Sequence, residues 1–235
     1  MRLPDLLAPA HEPAIVQDGP ALRRRRITVV ITIAVGTALL AATLRVRPGT
    51  AQFSALGFLV AVTWIAGGLL SGPIPVRPAS PVGPAWAFSP GGRSRWTAVV
   101  LAALLLGGVA FLGFLAADLV GQQISWVASA LSSVLGKADT GPRAVVLVIA
   151  LVNAVGEEVF FRGALHAALE PRRPAVVSTV IYIAVTAASG NIALVAAAAV
   201  MGTIFSLERL STQSILASVV THLSWSALIF FLLPR

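Results

Sequence analysis

The stretch Gly156-Glu157-Glu158-Val159-Phe160-Phe161-Arg162-Gly163 places three ionisable side chains inside an apolar run that covers about residues 144–169. A charged residue at the centre of a membrane helix costs roughly 2.5 to 3.5 kcal/mol on the translocon insertion scale. Ionisable residues inside a membrane span therefore indicate a functional site that faces the interior of a helix bundle. This stretch predicts a membrane helix bundle with a polar intramembrane site.

The composition of the whole chain agrees with a membrane protein. Of its 235 residues, 57% are hydrophobic and 11% are charged, whereas a soluble domain carries about a quarter charged residues. The chain contains no cysteine, which excludes disulfides, thiolate metal ligands and a cysteine nucleophile. The net charge of +8 comes mainly from arginines that lie between apolar segments. We therefore expect topology signals and no nucleic-acid partner.

Seven apolar runs are candidate transmembrane spans, and the predicted fold class is an all-α, polytopic membrane helix bundle of about seven spans. The fifth and sixth runs are shorter than the roughly 20 residues that cross a bilayer, which predicts tilted, partly re-entrant or protein-wrapped segments. A helical spacing of apolar residues over 122–135 predicts an additional interfacial helix. The seven runs are 27–44, 51–70, 96–117, 144–169, 174–188, 192–207 and 214–233.

The chain divides into four regions by composition. Residues 1–26 are predicted to form a cytoplasmic N-terminal tail, and residues 27–70 carry two transmembrane spans. A loop rich in Pro and Gly follows at 71–95. The remaining residues, 96–235, are predicted to form the core bundle. The candidate site residues lie within 143–233.

The basic residues between the spans predict an orientation. With the N-terminus in the cytoplasm, the cytoplasmic segments hold 11 basic residues and the outer segments hold five. Arg23 to Arg26 and Arg209 are counted among the cytoplasmic residues. Because cytoplasmic loops carry the excess of Lys and Arg, we expect a multi-pass protein of the plasma membrane with a cytoplasmic N-terminus.

The two adjacent glutamates are predicted to have different partners. Glu158 and Arg162 are four residues apart, so they share one face of a helix and can form an internal ion pair. Glu157 lies about 100° further round the helix, and is free to meet another helix, a water molecule or a substrate. As a base near a substrate it can take and return a proton. The alternative is that all three residues form a structural polar cluster between helices.

Histidine supplies the second polar feature of the apolar runs. His222 lies about halfway along the last run, and buried carboxylates in the same bundle are natural partners for it. Ser226, four residues later, can orient the imidazole or contact a substrate carbonyl, or can bond to its own helix. His166 lies beside Glu170 near the cytoplasmic end of its run, and is expected to be an interfacial, solvated residue rather than a second catalytic imidazole. His11 lies in the polar tail and has no predicted role.

These residues resemble the motifs of the CPBP family of intramembrane proteases, which includes the type II CAAX prenyl endopeptidases and the bacterial abortive-infection (Abi) proteins. The family's first motif, E-E-x-x-x-R, matches residues 157–163, including the aromatic before the Arg and the Gly after it. In the second motif, F-x-x-x-H, this chain has Tyr182 in place of Phe and Thr186 in place of His. The last motif matches at His222, with Ser226 in place of Asn.

The resemblance implies peptide hydrolysis at or within the membrane, on a membrane-associated peptide or protein. In the family the first Glu activates a water molecule, while the histidines hold a metal or stabilise the oxyanion. Carried over, this makes Glu157, Glu158 and His222 the catalytic residues. The cofactor is a divalent metal such as zinc, held by Glu157 and His222, or none. The supporting residues are Arg162, Thr186, Ser226 and Tyr182.

The departures from the motifs leave a second function open. Replacement of the second-motif His by Thr186 removes either a metal ligand or an oxyanion donor, and each such donor is worth about 10²- to 10³-fold in rate. The alternative is a catalytically impaired relative that acts as a membrane binding or regulatory protein. A secondary transporter is a third hypothesis. The sequence shows no inverted repeat, which argues against it.

Overall fold

A computed structural model of the chain describes residues 19–78, 92–139 and 142–233. All regular secondary structure within these ranges is helical, which confirms the predicted all-α class. The helices are α1 (Gly19–Arg45), α2 (Ala51–Ser71), α3 (Gly92–Gly121), α4 (Ser125–Asp139), α5 (Arg143–Leu169), α6 (Pro174–Ala187), α7 (Ile192–Thr212) and α8 (Leu216–Leu232).

Within the described ranges, five helices are long and apolar enough to cross a membrane: α1, α2, α3 from Trp96 onward, α5 and α7. Helices α6 and α8 are apolar but shorter, with 14 and 17 residues. The predicted shortness of the sixth run is wrong, because α7 has 21 residues and ends at Thr212. Glu208 and Arg209, which lie beyond that run, continue the helix and are buried in the bundle.

Helix α5 occupies the centre of the bundle. It packs against α2 along most of its length and also contacts α1, α4, α6, α7 and α8. The short helix α6 packs on α7, and the short helix α8 lies between α3, α5 and α7. The polar residues of α5 are therefore surrounded by other helices, as the cost of exposing them to lipid requires.

Small residues allow the helices around α5 to approach closely. A Cβ atom at Gly36 of α1 would overlap the ring of Trp64 on α2, and a Cβ at Gly156 of α5 would lie 3.1 Å from the carbonyl oxygen of Ala61. Trp64 then packs on the rings of Phe160 and Phe161, at centroid distances of 4.9 and 5.1 Å. Close packing of this kind drives helix association in lipid, where the hydrophobic effect between helices is absent.

Two arginines of α1 join helix ends by hydrogen bonds to backbone carbonyls. Arg25 of α1 is fully buried and donates to the carbonyl oxygen of Pro73 at 2.9 Å. Arg26 donates to the carbonyl oxygen of Ala168 at 3.0 Å, near the C-terminal end of α5. The arginines at 23–26 were expected to act as topology signals. That expectation is incomplete, because two of the four also hold helix ends together. Which side of the membrane they face stays a prediction.

Parts of the predicted division lie outside the described residues. These parts are residues 1–18 of the tail and residues 79–91 of the Pro/Gly-rich loop. Helix α1 begins at Gly19, ahead of the predicted start of the first span. The predicted helix over 122–135 is present as α4, Ser125–Asp139. Its position at the membrane interface, like the four-region division, stays a prediction.

Candidate intramembrane active site

The polar residues of the site come from four helices. Helix α5 supplies Glu157, Glu158 and Arg162, α6 supplies Tyr182, and α8 supplies His222. Helix α7 contributes the carbonyl oxygen of Gly202 and the ring of Phe205, as detailed below. Residues that are far apart in the chain thus form one connected group of contacts; Glu158 and His222, which are 64 positions apart, are hydrogen-bonded directly.

Helix α5 changes its winding where the charged residues lie. Residues Glu158–Leu165 form a π-helical segment inside the helix, with α-helical turns before and after it. At its end the amide of His166 donates to the carbonyl oxygen of Phe161, five residues earlier. π-Helical segments are rare and occur often at functional sites, because they change the direction of side chains relative to a regular helix. The sequence predicted a plain α-helix here, so the change in winding is a correction.

Glu158 and Arg162 form the predicted internal ion pair. Arg162 Nη1 donates to Glu158 Oε1 at 3.3 Å, and both side chains are at most 1% exposed. The same oxygen lies 3.1 Å from His222 Nδ1. Glu158 therefore links a residue of its own helix to one of α8. Such a buried network is strongly destabilised when one partner is removed, because the remaining charge is left uncompensated.

Aromatic rings and a backbone carbonyl enclose the guanidinium of Arg162. Its Nη2 donates to the carbonyl oxygen of Gly202 at 2.9 Å. The guanidinium carbon lies 4.6 Å from the ring centroid of Tyr182 and 5.1 Å from that of Phe205. These distances are within the range of cation–π attraction, which is strongest for a desolvated cation. Arg162 is thus fixed on several sides, although its Nε has no hydrogen-bond partner among the described residues.

Glu157 has a different environment from its neighbour. Its side chain is half-buried rather than fully buried. The Tyr182 hydroxyl donates to Glu157 Oε2 at 2.7 Å. Among the described residues, the other carboxylate oxygen accepts no hydrogen bond. Glu157 meets another helix, as the sequence predicted, and keeps one oxygen available to a water molecule or a substrate.

The hydrogen bond of His222 restricts the chemistry of its ring. An ionised carboxylate only accepts hydrogen bonds, so Nδ1 is the atom that carries the hydrogen towards Glu158. The ring stacks on Phe205 with a centroid distance of 4.6 Å. With Nδ1 protonated, Nε2 is an acceptor in the neutral ring and a donor in the imidazolium.

Thr186 and Ser226 are not joined to this network by hydrogen bonds. The Thr186 hydroxyl donates at 2.9 Å to the carbonyl oxygen of Tyr182 in its own helix. Ser226 is half-buried and has no hydrogen bond to any residue that the structure describes. Their roles as supporting residues, implied by the resemblance, stay predictions.

His166 is buried, and the expectation of a solvated interfacial histidine is wrong. Only 2% of the residue is exposed, because the last turn of α5 packs against α1 and α6. Its Nε2 lies 4.0 Å from Glu170 Oε1. Burial raises the pKa of Glu170, which follows the end of α5, while Arg209 and Arg25 act in the opposite direction. His166 has no hydrogen bond to Glu157 or Glu158, the acids of the site.

The sequence did not identify Glu208 as a buried acid near the site. It lies on α7 and is 9% exposed. The hydroxyl of Thr221, the residue before His222, donates to Glu208 Oε1 at 2.6 Å. Glu208 Oε2 has no partner among the described residues. In the sequence, Glu208 lies one helical turn after Phe205, and this spacing could have indicated that it faces the site. Hydropathy alone places Glu208 at the end of a span.

The site residues do not form a ligand set suited to a divalent metal. Within the described ranges, no group of three or more His, Cys, Asp or Glu residues is placed to hold an ion, and a zinc site needs about three protein ligands. His222 Nδ1 faces Glu158, and Glu157 Oε2 accepts from Tyr182. A zinc site on Glu157 and His222, one of the possibilities that the resemblance implies, would have only the free oxygen of Glu157 and Nε2 of His222 as protein ligands, one fewer than zinc needs. We therefore derive the chemistry from the side chains alone.

Apolar, membrane-capable helices surround a buried group of carboxylates, an arginine and a histidine. This arrangement defines a multi-pass membrane protein with an intramembrane polar site. Residues 139–228 match the model of the family described as Type II CAAX prenyl endopeptidase Rce1-like. This match confirms the resemblance to the CPBP family that the motifs indicated. A search of curated proteins and of solved structures finds no match.

Proposed function

We propose that the protein is a membrane-embedded endopeptidase that hydrolyses a peptide bond with a water molecule activated by Glu157. The observation that carries this proposal is the contrast between two adjacent acids. Glu158 is fully buried and is paired with Arg162 and His222, whereas Glu157 is half-buried and keeps one free oxygen. An acid with a free oxygen beside a cationic network is suited to take a proton from water.

In the proposed reaction, Glu157 acts first as a base and then as an acid. Glu157 accepts a proton from the water, and the oxygen of the water forms a bond to the scissile carbonyl carbon. The carbonyl oxygen becomes an oxyanion in the tetrahedral intermediate. The carbon–nitrogen bond then breaks, and Glu157 returns the proton to the leaving amine.

We assign His222 to the oxyanion. As an imidazolium it donates Nδ1–H to Glu158 and presents Nε2–H to the developing negative charge. Glu158, which is itself paired with Arg162, holds the ring in this orientation through Nδ1. A preorganised donor of this kind contributes about 10²- to 10³-fold in rate.

The proposed substrate is a membrane-anchored peptide or protein segment, cut near the cytoplasmic face or within the bilayer. A multi-pass protein with a buried polar site requires a substrate that reaches the site from the membrane or its surface. We propose the plasma membrane as its location, with the N-terminus in the cytoplasm, on the basis of the arginine distribution.

The test is cleavage of a library of membrane-anchored peptides by the purified protein in lipid nanodiscs. We expect wild-type cleavage to fall by at least about 10²-fold in Glu157→Ala and in His222→Ala. Glu208→Gln is the matched control, because it changes another buried acid of the same bundle, and we expect it to retain cleavage. Cleavage that survives Glu157→Ala contradicts the assignment of the base.

A second arm separates the protease from a non-catalytic relative. Thr186→His supplies an imidazole at the position where the family motif has one, and we expect it to raise cleavage rather than abolish it. If neither wild type nor Thr186→His cleaves any member of the library, the proposal fails. The alternative, a membrane binding or regulatory protein, then takes its place.

A further inference from the structure

We propose that Tyr182 is the positioning residue of the site, and that its hydroxyl holds the Glu157 carboxylate in the orientation that hydrolysis requires. This inference rests on the proposed function, because the role of Tyr182 is to direct the base. The hydroxyl donates to Glu157 Oε2 at 2.7 Å, a short hydrogen bond to a carboxylate. It fixes one oxygen of Glu157 and leaves the other free for water.

The Tyr182 ring is held firmly enough to direct its hydroxyl. The residue is 8% exposed. Phe161 packs edge-on against it at a centroid distance of 4.9 Å, and the Arg162 guanidinium lies over its face at 4.6 Å. A Cβ atom at Gly202 would lie 3.0 Å from Tyr182 Cδ1, so α7 also closes on the ring. A side chain locked by packing on several sides can hold a reactive group within the narrow tolerance that catalysis needs.

Without this hydrogen bond, Glu157 has a competing partner. Arg162 lies on the same helix, and its Nε is buried with no acceptor among the described residues. Without the Tyr182 hydroxyl, the Glu157 carboxylate would be attracted to the Arg162 guanidinium. An ion pair between Glu157 and Arg162 would leave no carboxylate oxygen placed to activate the water molecule. The phenol hydroxyl therefore keeps Glu157 out of the network that Glu158 occupies.

Within helix α6, Tyr182 is the residue whose side chain hydrogen-bonds to Glu157. The Thr186 hydroxyl, one turn after Tyr182, is directed to the carbonyl oxygen of Tyr182 itself. Ser178, one turn before, donates to the carbonyl oxygen of Ala175. The contribution of α6 to the geometry of Glu157 is thus the phenol, at the position where the family motif has a phenylalanine.

The first test is independent of proteolysis. Tyr182 is the only tyrosine in the 235 residues, so the Raman doublet of tyrosine, or the ¹³Cζ resonance of labelled tyrosine, reports on this one hydroxyl. We expect the signature of a phenol that donates to a carboxylate in wild type and its loss in Glu157→Ala. Glu208→Gln is the control and should match wild type. An identical signal in wild type and Glu157→Ala overturns the proposal, even if the protein is an active protease.

The second test separates positioning from substrate binding. We expect Tyr182→Phe to lower kcat by about 10- to 100-fold, as for a misplaced catalytic group, with KM changed less than about twofold. Ser178→Ala removes a different hydroxyl from the same helix and should keep the wild-type kcat. Wild-type kcat in Tyr182→Phe overturns the positioning role and leaves the proposed function standing. An inactive wild type refutes the proposed function, and the spectroscopic test then decides the Tyr182–Glu157 bond alone.

Discussion

Glu157 and Glu158 are adjacent in the sequence but have different surroundings in the bundle. Glu158 is 0% exposed and shares one oxygen between Arg162 and His222. Glu157 is half-buried, and among the described residues its only hydrogen bond comes from the neutral hydroxyl of Tyr182. We infer that the two acids of the motif have different roles. Glu158 compensates buried charge and contacts the histidine, and Glu157 is the acid that we propose for proton transfer.

The largest expected effect tests the structural half of this comparison. Arg162→Ala leaves Glu158 buried with only His222 as a partner, and breaking a buried pair costs about 3 to 5 kcal/mol. We expect much less folded protein in the membrane than for Glu157→Ala, measured by yield in nanodiscs and by thermal melting. The matched control is Arg162→Met with Glu158→Leu, in which neither charge is stranded. Equal melting temperatures for Arg162→Ala and Glu157→Ala would contradict the division of roles.

A smaller effect is expected beside His222. Thr221→Val removes the hydroxyl that donates to Glu208 Oε1 and leaves that buried oxygen without its partner. An unsatisfied buried polar group costs about 1 to 3 kcal/mol, so the melting temperature should fall. Thr221→Ser keeps the hydroxyl and should lie close to wild type. If the Val and Ser variants melt together, the Glu208–Thr221 bond does not stabilise α8.

The smallest effect concerns the acid at the end of α5. Burial raises the pKa of Glu170, so its charged form is less stable in the folded protein than in the unfolded chain. The charged Glu170 therefore lowers the stability of the folded protein at pH values above its raised pKa. This loss of stability disappears as the pH falls below the pKa of Glu170 in the unfolded chain. Glu170→Gln should therefore raise the melting temperature slightly at neutral pH and leave it unchanged in acid. A variant that is less stable than wild type at neutral pH would show that its contacts with Arg25 and Arg209 outweigh burial.

The sequence was sufficient for features that depend on one helix. Hydropathy located the apolar helices, and the four-residue spacing of Glu158 and Arg162 predicted their ion pair, which is present within the π-helical segment. Both features follow from local periodicity. The sixth run was predicted too short, because Glu208 and Arg209 have polar side chains whose burial only the neighbouring helices make possible.

Features that depend on contacts between helices were beyond the sequence. The bond from Tyr182 to Glu157 joins residues 25 apart, and that from Thr221 to Glu208 joins residues 13 apart. The sequence indicated that His222 would meet a buried acid, but not that its Nδ1 would face Glu158. These contacts are set by the rotation of α6 and α8 about their axes. No pattern within a single span reports that rotation.

Whether Glu157 is the base is tested most directly by the cleavage rate per folded molecule of Glu157→Gln, measured beside Glu158→Gln in the same nanodiscs. Glutamine keeps the size of the side chain and removes its ability to accept a proton from water. We expect Glu157→Gln to melt near wild type and to lose cleavage by at least about 10²-fold. We expect the main loss in Glu158→Gln to be of folded protein, because Arg162 loses its counter-charge. Wild-type cleavage by folded Glu157→Gln would contradict the central claim that Glu157 is the base.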